Sequence, residues 1–91
     1  MKGADPAVVK ELIERMRKIE GQARGIQKMM EEGRECDEIL NQLAAMRAAI
    51  NKVGMRAIGC HLESSLEEEL ARGQDGHQSI EKVIETFLRF S

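Results

Sequence analysis

Apolar residues recur at alternating steps of four and three positions along one long, unbroken stretch in the middle of the chain. This seam consists of Ile39, Leu43, Met46, Ile50, Val53, Ala57 and Cys60. Such spacing is typical of an amphipathic helix that packs against other helices. No strong helix breaker follows until Gly73, so we predict a helix over 36–71. At 1.5 Å per residue it would extend roughly 50 Å, longer than a domain of this size can cover, and we therefore expect partner chains.

Two shorter helices are predicted on either side of this one. Asp5 followed by Pro6 is the pair expected at a helix start, and Gly33 is a plausible C-terminal stop, which places the first helix at about 6–32. After the loop at 73–76, a third amphipathic helix is predicted over about 78–90. Its apolar positions are Ile80, Val83, Ile84, Phe87 and Leu88. We predict an all-α protomer, residues 1–91 forming one helical domain without strands.

The composition indicates a folded chain that depends on association. Of its residues 42% are apolar and 33% charged, but only two are aromatic, so the core has little bulk. Two cysteines cannot form a disulfide framework, and the sequence shows neither a signal peptide nor an apolar run of the ~20 residues a membrane helix needs. We expect a cytoplasmic oligomer with reduced thiols and no membrane contact.

Positive charge is concentrated in two segments, although the net charge is −2. Residues 1–28 carry seven basic and four acidic groups, and 46–61 carry three basic and no acidic groups. The basic residues that we single out as a DNA-binding surface are Arg15, Arg17, Lys18 and Lys52. The alternative is an ordinary solvated face with i,i+4 ion pairs such as Glu14 with Lys18. The acidic run 67–69 is likewise expected to be solvated.

Cys36 and His61 share one face of the predicted long helix. They are 25 positions apart, which at 100° per residue returns to within about 20° of the starting direction. Their separation along the axis is roughly 37 Å, so one straight helix cannot bring both to the same ligand. If two copies of the helix pack antiparallel, Cys36 of one lies beside His61 of the other, and a two-fold dimer contains two such sites.

A thiolate beside an imidazole has two chemical uses. Together they bind a soft or borderline metal such as Cu(I), Ni(II) or Zn(II), or the thiol itself reacts. The alternative is that Cys36 is a buried small residue and His61 a hydrogen-bonded interface residue. Cys60 points about 120° away from Cys36, onto the apolar seam, so we favour a packing role for it.

Residues 15–26, which read RMRKIEGQARGI, resemble the first-helix motif of the CsoR/RcnR family of transcriptional repressors. The resemblance continues through Cys36, the segment QLAAMRAA at 42–49 and His61, and so covers nearly the whole chain. It implies three-helix protomers that form an antiparallel dimer with a four-helix-bundle core, paired into a tetramer. It also implies operator double-stranded DNA as partner, bound without a helix-turn-helix through residues that match Arg15 and Lys52. DNA is released when an effector occupies the Cys36/His61 site.

The resemblance leaves the effector open. Copper-sensing members complete their site with a cysteine at the position of Ser65, and a hydroxyl is a poor Cu(I) ligand. We still take a metal ion, with Cu(I) first, as the expected effector, with Ser65 or Cys60 as the third ligand and Glu81 supporting His61 from the third helix. Nickel and cobalt sensors use histidines that this chain lacks.

Three alternatives to a metal-responsive repressor remain. Formaldehyde sensors look similar at Cys36 and His61 but begin with a proline where this chain has Lys2. Persulfide sensors pair Cys36 with a cysteine at position 65, a role that only Cys60 could take here. A helical oligomerisation module without effector chemistry would need only the apolar seams. We predict no enzymatic activity, because the sequence has no phosphate loop, no nucleophile with a local base and no paired carboxylates.

Overall fold

The computed structural model describes all 91 residues and contains three helices and no strands. They are α1 (Pro6–Glu31), α2 (Cys36–Ala71) and α3 (His77–Phe90), and 84% of the chain is helical. The all-α, three-helix prediction is confirmed, and each helix end lies within one residue of its predicted position. None of the helices combines the length and apolarity needed to cross a membrane.

The chain forms two compact units. The α1 unit is Lys10–Val53, and the α3 unit consists of Met1–Val9 together with Gly54–Ser91. Helix α2 runs through both units without a break, as the apolar seam predicted.

The helix ends follow from local sequence. The Asp5 side chain accepts a hydrogen bond from the backbone N–H of Ala7 at 2.8 Å, which makes Asp5 the cap that α1 needs. Gly33 ends α1 at a φ of 72°, where the N–H of Arg34 reaches back to the Met29 carbonyl at 3.0 Å. This left-handed conformation favours glycine, so the predicted stop at Gly33 has a direct physical cause.

The α1 unit buries one stripe of α1. Leu12, Ile19 and Ile26, spaced seven residues apart, are its fully buried apolar side chains. Met16 and Met30 lie one turn after Leu12 and Ile26 on the same side of α1 but are 45% and 54% exposed. The chain therefore leaves part of this apolar side of α1 uncovered.

The apolar seam of α2 is left half-covered by its own chain. Six of its seven residues are half-buried, and Ile50 is exposed. A charged residue, Glu69, is instead the one fully buried residue of α2.

In the α3 unit, one face of α3 is buried and the other is apolar but exposed. Val83 and Ser79 are buried, while Ile80, Ile84 and Leu88 are 48%, 53% and 65% exposed. Those three residues follow one another at steps of four and so form a continuous stripe.

At the far end of α3, the ring of Phe90 lies against the backbone of Gly54 in α2. A Cβ on Gly54 would overlap the end of this ring, with Cε1 and Cε2 only 2.6 and 2.7 Å away. Glycine inside a helix costs about 1 kcal/mol relative to alanine, and here the close approach of an aromatic ring explains its presence.

Candidate metal centre and nucleic-acid interface

The structure brings three of the four predicted DNA-binding residues to one groove in the α1 unit. Arg15 and Lys18 from α1 face Lys52 from α2 across an opening of about 460 Å³. Ala45, Ala48 and Ala49 form part of its wall, and their short side chains leave the space open. The two basic segments of the sequence therefore lie side by side here.

The groove also contains acceptors. Glu11 and Glu14 line it with the basic residues, and Arg15 donates to Glu11 Oε1 from Nε at 3.3 Å and from Nη2 at 3.2 Å. About half of each of these two side chains is exposed, and an exposed pair of this kind contributes only about 0–1 kcal/mol. Arg15 can therefore exchange Glu11 for a stronger anion at little cost.

Two further groups complete the description of this surface. Gln22 also lines the groove, and its Oε1 is buried without a hydrogen-bond partner. Arg17 is exposed but does not line the groove, because it lies two positions after Arg15 and so points to another side of α1. Its predicted DNA contact stays a prediction.

Cys36 is the first residue of α2 and is exposed as a free thiol. An exposed ion pair flanks it in sequence, because Arg34 Nε and Nη2 both lie 2.7 Å from Glu38 Oε2. A pair as exposed as this one contributes only about 0–1 kcal/mol to the turn that carries the thiol. The alternative that Cys36 is buried does not hold within this chain.

His61 and Ser65 lie one turn apart on α2, in the α3 unit, and both are half-buried. Cys60 is also half-buried, as expected for a residue on the apolar seam. No group of three or more His, Cys, Asp or Glu side chains in the chain is arranged to hold a metal ion. The Cys36/His61 pair, which the geometry of one helix assigns to two chains, stays a prediction.

Glu81 does not hydrogen-bond to His61 in this chain. Its Oε1 lies 3.0 Å from Nε2 of His77, one turn earlier on α3, and both side chains are mostly exposed. His77 is the first residue of α3, where the sequence placed a loop. The role of Glu81 beside His61 remains a prediction.

Glu69 is a site that the sequence analysis missed. It is 1% exposed, and its Oε1 accepts hydrogen bonds from the backbone N–H and the hydroxyl of Ser79, at 2.8 and 2.5 Å. The expectation that the whole run 67–69 is solvated is wrong at this position. The spacing of the apolar seam did not mark it, because seven residues after Cys60 comes Glu67, which is exposed, and Glu69 is buried only by α3.

The hydrogen bonds keep this carboxylate charged. The Ser79 hydroxyl, helped by backbone amides at Ser79, Gln78 and Gly76, lowers the pKa of Glu69 below its ordinary value, although burial opposes the shift. An ionised carboxylate also suits the first turn of α3, where unpaired N–H groups concentrate positive potential.

Comparison with known proteins identifies the family. The model of a metal-sensitive transcriptional repressor family matches residues 9–89. The copper-sensing transcriptional repressor CsoR of Bacillus subtilis is 35% identical over 81 residues, which are 89% of this chain and 79% of that protein. The transcriptional repressor RcnR of Salmonella typhimurium is 32% identical over 77 residues, covering 82% and 86%.

The fold agrees with the sequence match. The crystal structure of CsoR with Cu(I) from Geobacillus thermodenitrificans superposes with a TM-score of 0.82 at 32% identity, covering 99% of this chain and 93% of that one. The nickel-responsive regulator InrS gives a TM-score of 0.78 at 28% identity, covering 100% and 98%. This chain belongs to the family of metal-sensitive transcriptional repressors.

Proposed function

We propose that this protein is a repressor that binds operator DNA through the basic groove of the α1 unit and releases it when a metal ion binds between two protomers. The observation that carries the DNA-binding half is the groove that joins Arg15 and Lys18 of α1 to Lys52 of α2. Lys52 lies 34 and 37 positions after Lys18 and Arg15 in the sequence, yet the three meet at an open surface, where they can neutralise neighbouring phosphates.

The effector site in this proposal combines Cys36 of one chain with His61 of a second chain. A continuous α2 supports it, because antiparallel pairing of two such helices places the two residues side by side. Neither residue forms a side-chain hydrogen bond within its own chain, so both donor groups are free for a ligand. The similarity to copper-sensing repressors makes Cu(I) the first metal to test.

The donor set fits Cu(I) in part. A thiolate and an imidazole are suitable ligands, whereas the hydroxyl of Ser65 is a hard donor. Cys60 would supply a second soft ligand, although it lies on the apolar seam. We therefore expect two-coordinate binding by Cys36 and His61, or a third ligand from Cys60.

The proposal requires an oligomer, and the exposed apolar residues support one. The half-covered seam of α2 and the exposed stripe Ile80, Ile84 and Leu88 are surfaces that a second copy would bury. We propose the antiparallel dimer, paired into a tetramer, that the family resemblance implies.

The first test measures DNA release. A duplex selected by the wild-type protein from a random pool is titrated by fluorescence anisotropy, anaerobically, with and without Cu(I), Ni(II) or Zn(II). Metal should weaken binding by 5- to 150-fold, corresponding to a coupling of about 1–3 kcal/mol. Cys36→Ala and His61→Ala should abolish this effect, whereas a weakened response in Cys60→Ala would identify Cys60 as the third ligand. Unchanged release by Cys36→Ala would refute the assigned site.

The second test measures the salt dependence of DNA binding. Each phosphate contact contributes about 0.9 to the slope of log K against log salt. Arg15→Ala and Lys52→Ala should each lower the slope by about 1, whereas Glu11→Gln should raise affinity because it removes the competitor of the phosphate. An exposed arginine outside the groove, Arg34, gives the control Arg34→Ala. A protein that selects no duplex at all would be an oligomerisation module.

A second candidate function is supported by the exposure of Cys36 and by Ser65. An accessible thiol without a soft second ligand suits a sensor of formaldehyde or persulfide. DNA release by formaldehyde or polysulfide, with a mass adduct on Cys36 and no response to metal, would assign this function instead.

A further inference from the structure

Helix α3 has no capping side chain at its N-cap, and Asp75, the residue before it, accepts a hydrogen bond from the backbone N–H of His77 at 3.0 Å. Its N-cap residue is Gly76, and the first-turn N–H groups of a helix need acceptors. Glu69, near the end of α2, supplies one by accepting hydrogen bonds from the N–H and hydroxyl of Ser79. The position of the first turn of α3 is therefore set by a residue of α2.

The same residue also ends α2. The backbone carbonyl of Glu69 accepts from the N–H groups of Arg72 and Gln74 at 3.1 and 3.2 Å, which closes the last turn around Gly73. On the other side of the joint, Leu66 Cδ2 lies 2.8 Å from where a Cβ on Gly76 would be. Glu69 is thus the common support of both helix ends, in a joint with no spare volume for a side chain at Gly76.

This joint lies next to the proposed effector site. Ser65 precedes Glu69 by one helical turn, and Ser65, Glu69 and Ser79 line one cavity of about 120 Å³. His61 lies one turn before Ser65 on α2. Rotation or bending of α2 between His61 and Glu69 would move the Glu69 carboxylate relative to Ser79.

The other end of α3 rests on a different part of α2. Phe90 lies against Gly54, which follows the groove residue Lys52 by two positions. A helix of 14 residues is about 21 Å long and is stiff over that length. A displacement of its first turn is therefore carried to the contact at Gly54.

We propose that Glu69 is a positioning residue whose contact with Ser79 couples effector binding on α2 to DNA release, with α3 as the connecting element. This inference rests on the proposed repressor function. It assigns to Glu69 and Ser79 a role that needs no contact with metal or DNA. Coupling of this kind passes through a packed element that both sites can bias.

The test compares the ratio of DNA affinities without and with Cu(I) in the wild type and four variants. In Glu69→Gln and Ser79→Ala this ratio should fall by about 2- to 30-fold relative to wild type, the range for residues that carry coupling. Glu68→Gln is the matched control, since Glu68 lines the same cavity but its side chain accepts no hydrogen bond, and it should keep the wild-type ratio. Ser79→Thr, which restores the hydroxyl, should recover the ratio.

A purely structural cap would behave differently. It would lower the resistance to urea in Glu69→Gln and Ser79→Ala while leaving the affinity ratio of the folded protein unchanged, and that result would overturn the inference. If Glu69→Gln does not fold, Ser79→Ala decides, because its backbone N–H still donates to Glu69. A wild-type protein that does not release DNA with any of the metals would refute the proposed function, independently of the variants.

Discussion

Because Phe90 packs against Gly54, the effect of Gly54→Ala on the free energy of unfolding should depend on whether the Phe90 ring is present. In Gly54→Ala, the new methyl group would occupy the space of the Phe90 ring, with ring carbons 2.6 and 2.7 Å away. The ring is the free end of a flexible side chain, so it would swing into solvent rather than distort α2. The cost is then the burial that Phe90 loses.

The exposed fraction of Phe90 determines how much Gly54→Ala should change the free energy of unfolding. Phe90 is 40% exposed, so about three fifths of the burial of a phenylalanine, worth roughly 1–2 kcal/mol, would be lost. Alanine in a helix interior gains about 1 kcal/mol over glycine, so the net destabilisation should be about 0–1 kcal/mol. In a Phe90→Ala background only the gain remains, and Gly54→Ala should stabilise by about 1 kcal/mol.

Urea unfolding followed by circular dichroism, at one fixed protomer concentration, measures the four free energies of this double-mutant cycle. The expected coupling between the two positions is about 1–2 kcal/mol. Gly59→Ala is the matched control, because nothing lies within 4 Å of its Cβ position in the chain, and it should stabilise regardless of residue 90. Additive effects of Gly54→Ala and Phe90→Ala would refute the proposed packing of the ring on the glycine.

Two further predictions concern the helix ends. Asp5→Ala should lower the free energy of unfolding by about 1 kcal/mol, because the N–H of Ala7 loses its acceptor, whereas Asp5→Asn should lose less; equal urea midpoints for all three proteins would contradict this. Since the pKa of Glu69 is lowered in the folded state, its stabilisation is complete above the ordinary value of 4.5 and is lost as pH falls from there through the lowered folded value. The difference in unfolding free energy between wild type and Glu69→Gln should therefore shrink below pH 4.5, and a constant difference would show that the charge does not matter.

The sequence predicted the helices well because their signals are local. Asp5 before Pro6, Gly33 after a periodic run and the seam through Val53 each act within a few residues of the feature they determine. The groove was predicted only as two separate basic segments, since sequence does not show which side of α1 faces α2. The sequence alone therefore could not distinguish Arg15 and Lys18, which line the groove, from Arg17, which does not.

The contacts that escaped prediction join residues far apart in the chain. Glu69 looked like part of a solvated acidic run, and only the return of α3 to α2 shows that Ser79 meets it there. A glycine within a helix, such as Gly54, lowers helix stability, but Phe90, 36 positions later, could not be identified from the sequence as its partner. Both contacts depend on the register of α3 along α2, which the turn geometry at Gly73 and Gly76 determines.

In the proposed assembly α2 forms both the interface between chains and the effector site, so effector binding changes the stability of the dimer. α2 leaves its apolar seam half-covered within one chain, and the proposed effector site exists only where a second chain covers that seam. A ligand that binds only the assembled form stabilises it by RT ln(1 + [L]/Kd), about 2.7 kcal/mol at a hundredfold excess over Kd. An effector at Cys36 and His61 would therefore stabilise the dimer while it lowers the affinity for DNA. Because the metal stabilises the dimer that forms its site, it must favour a DNA-incompetent arrangement of the intact dimer and cannot act by separating its two chains.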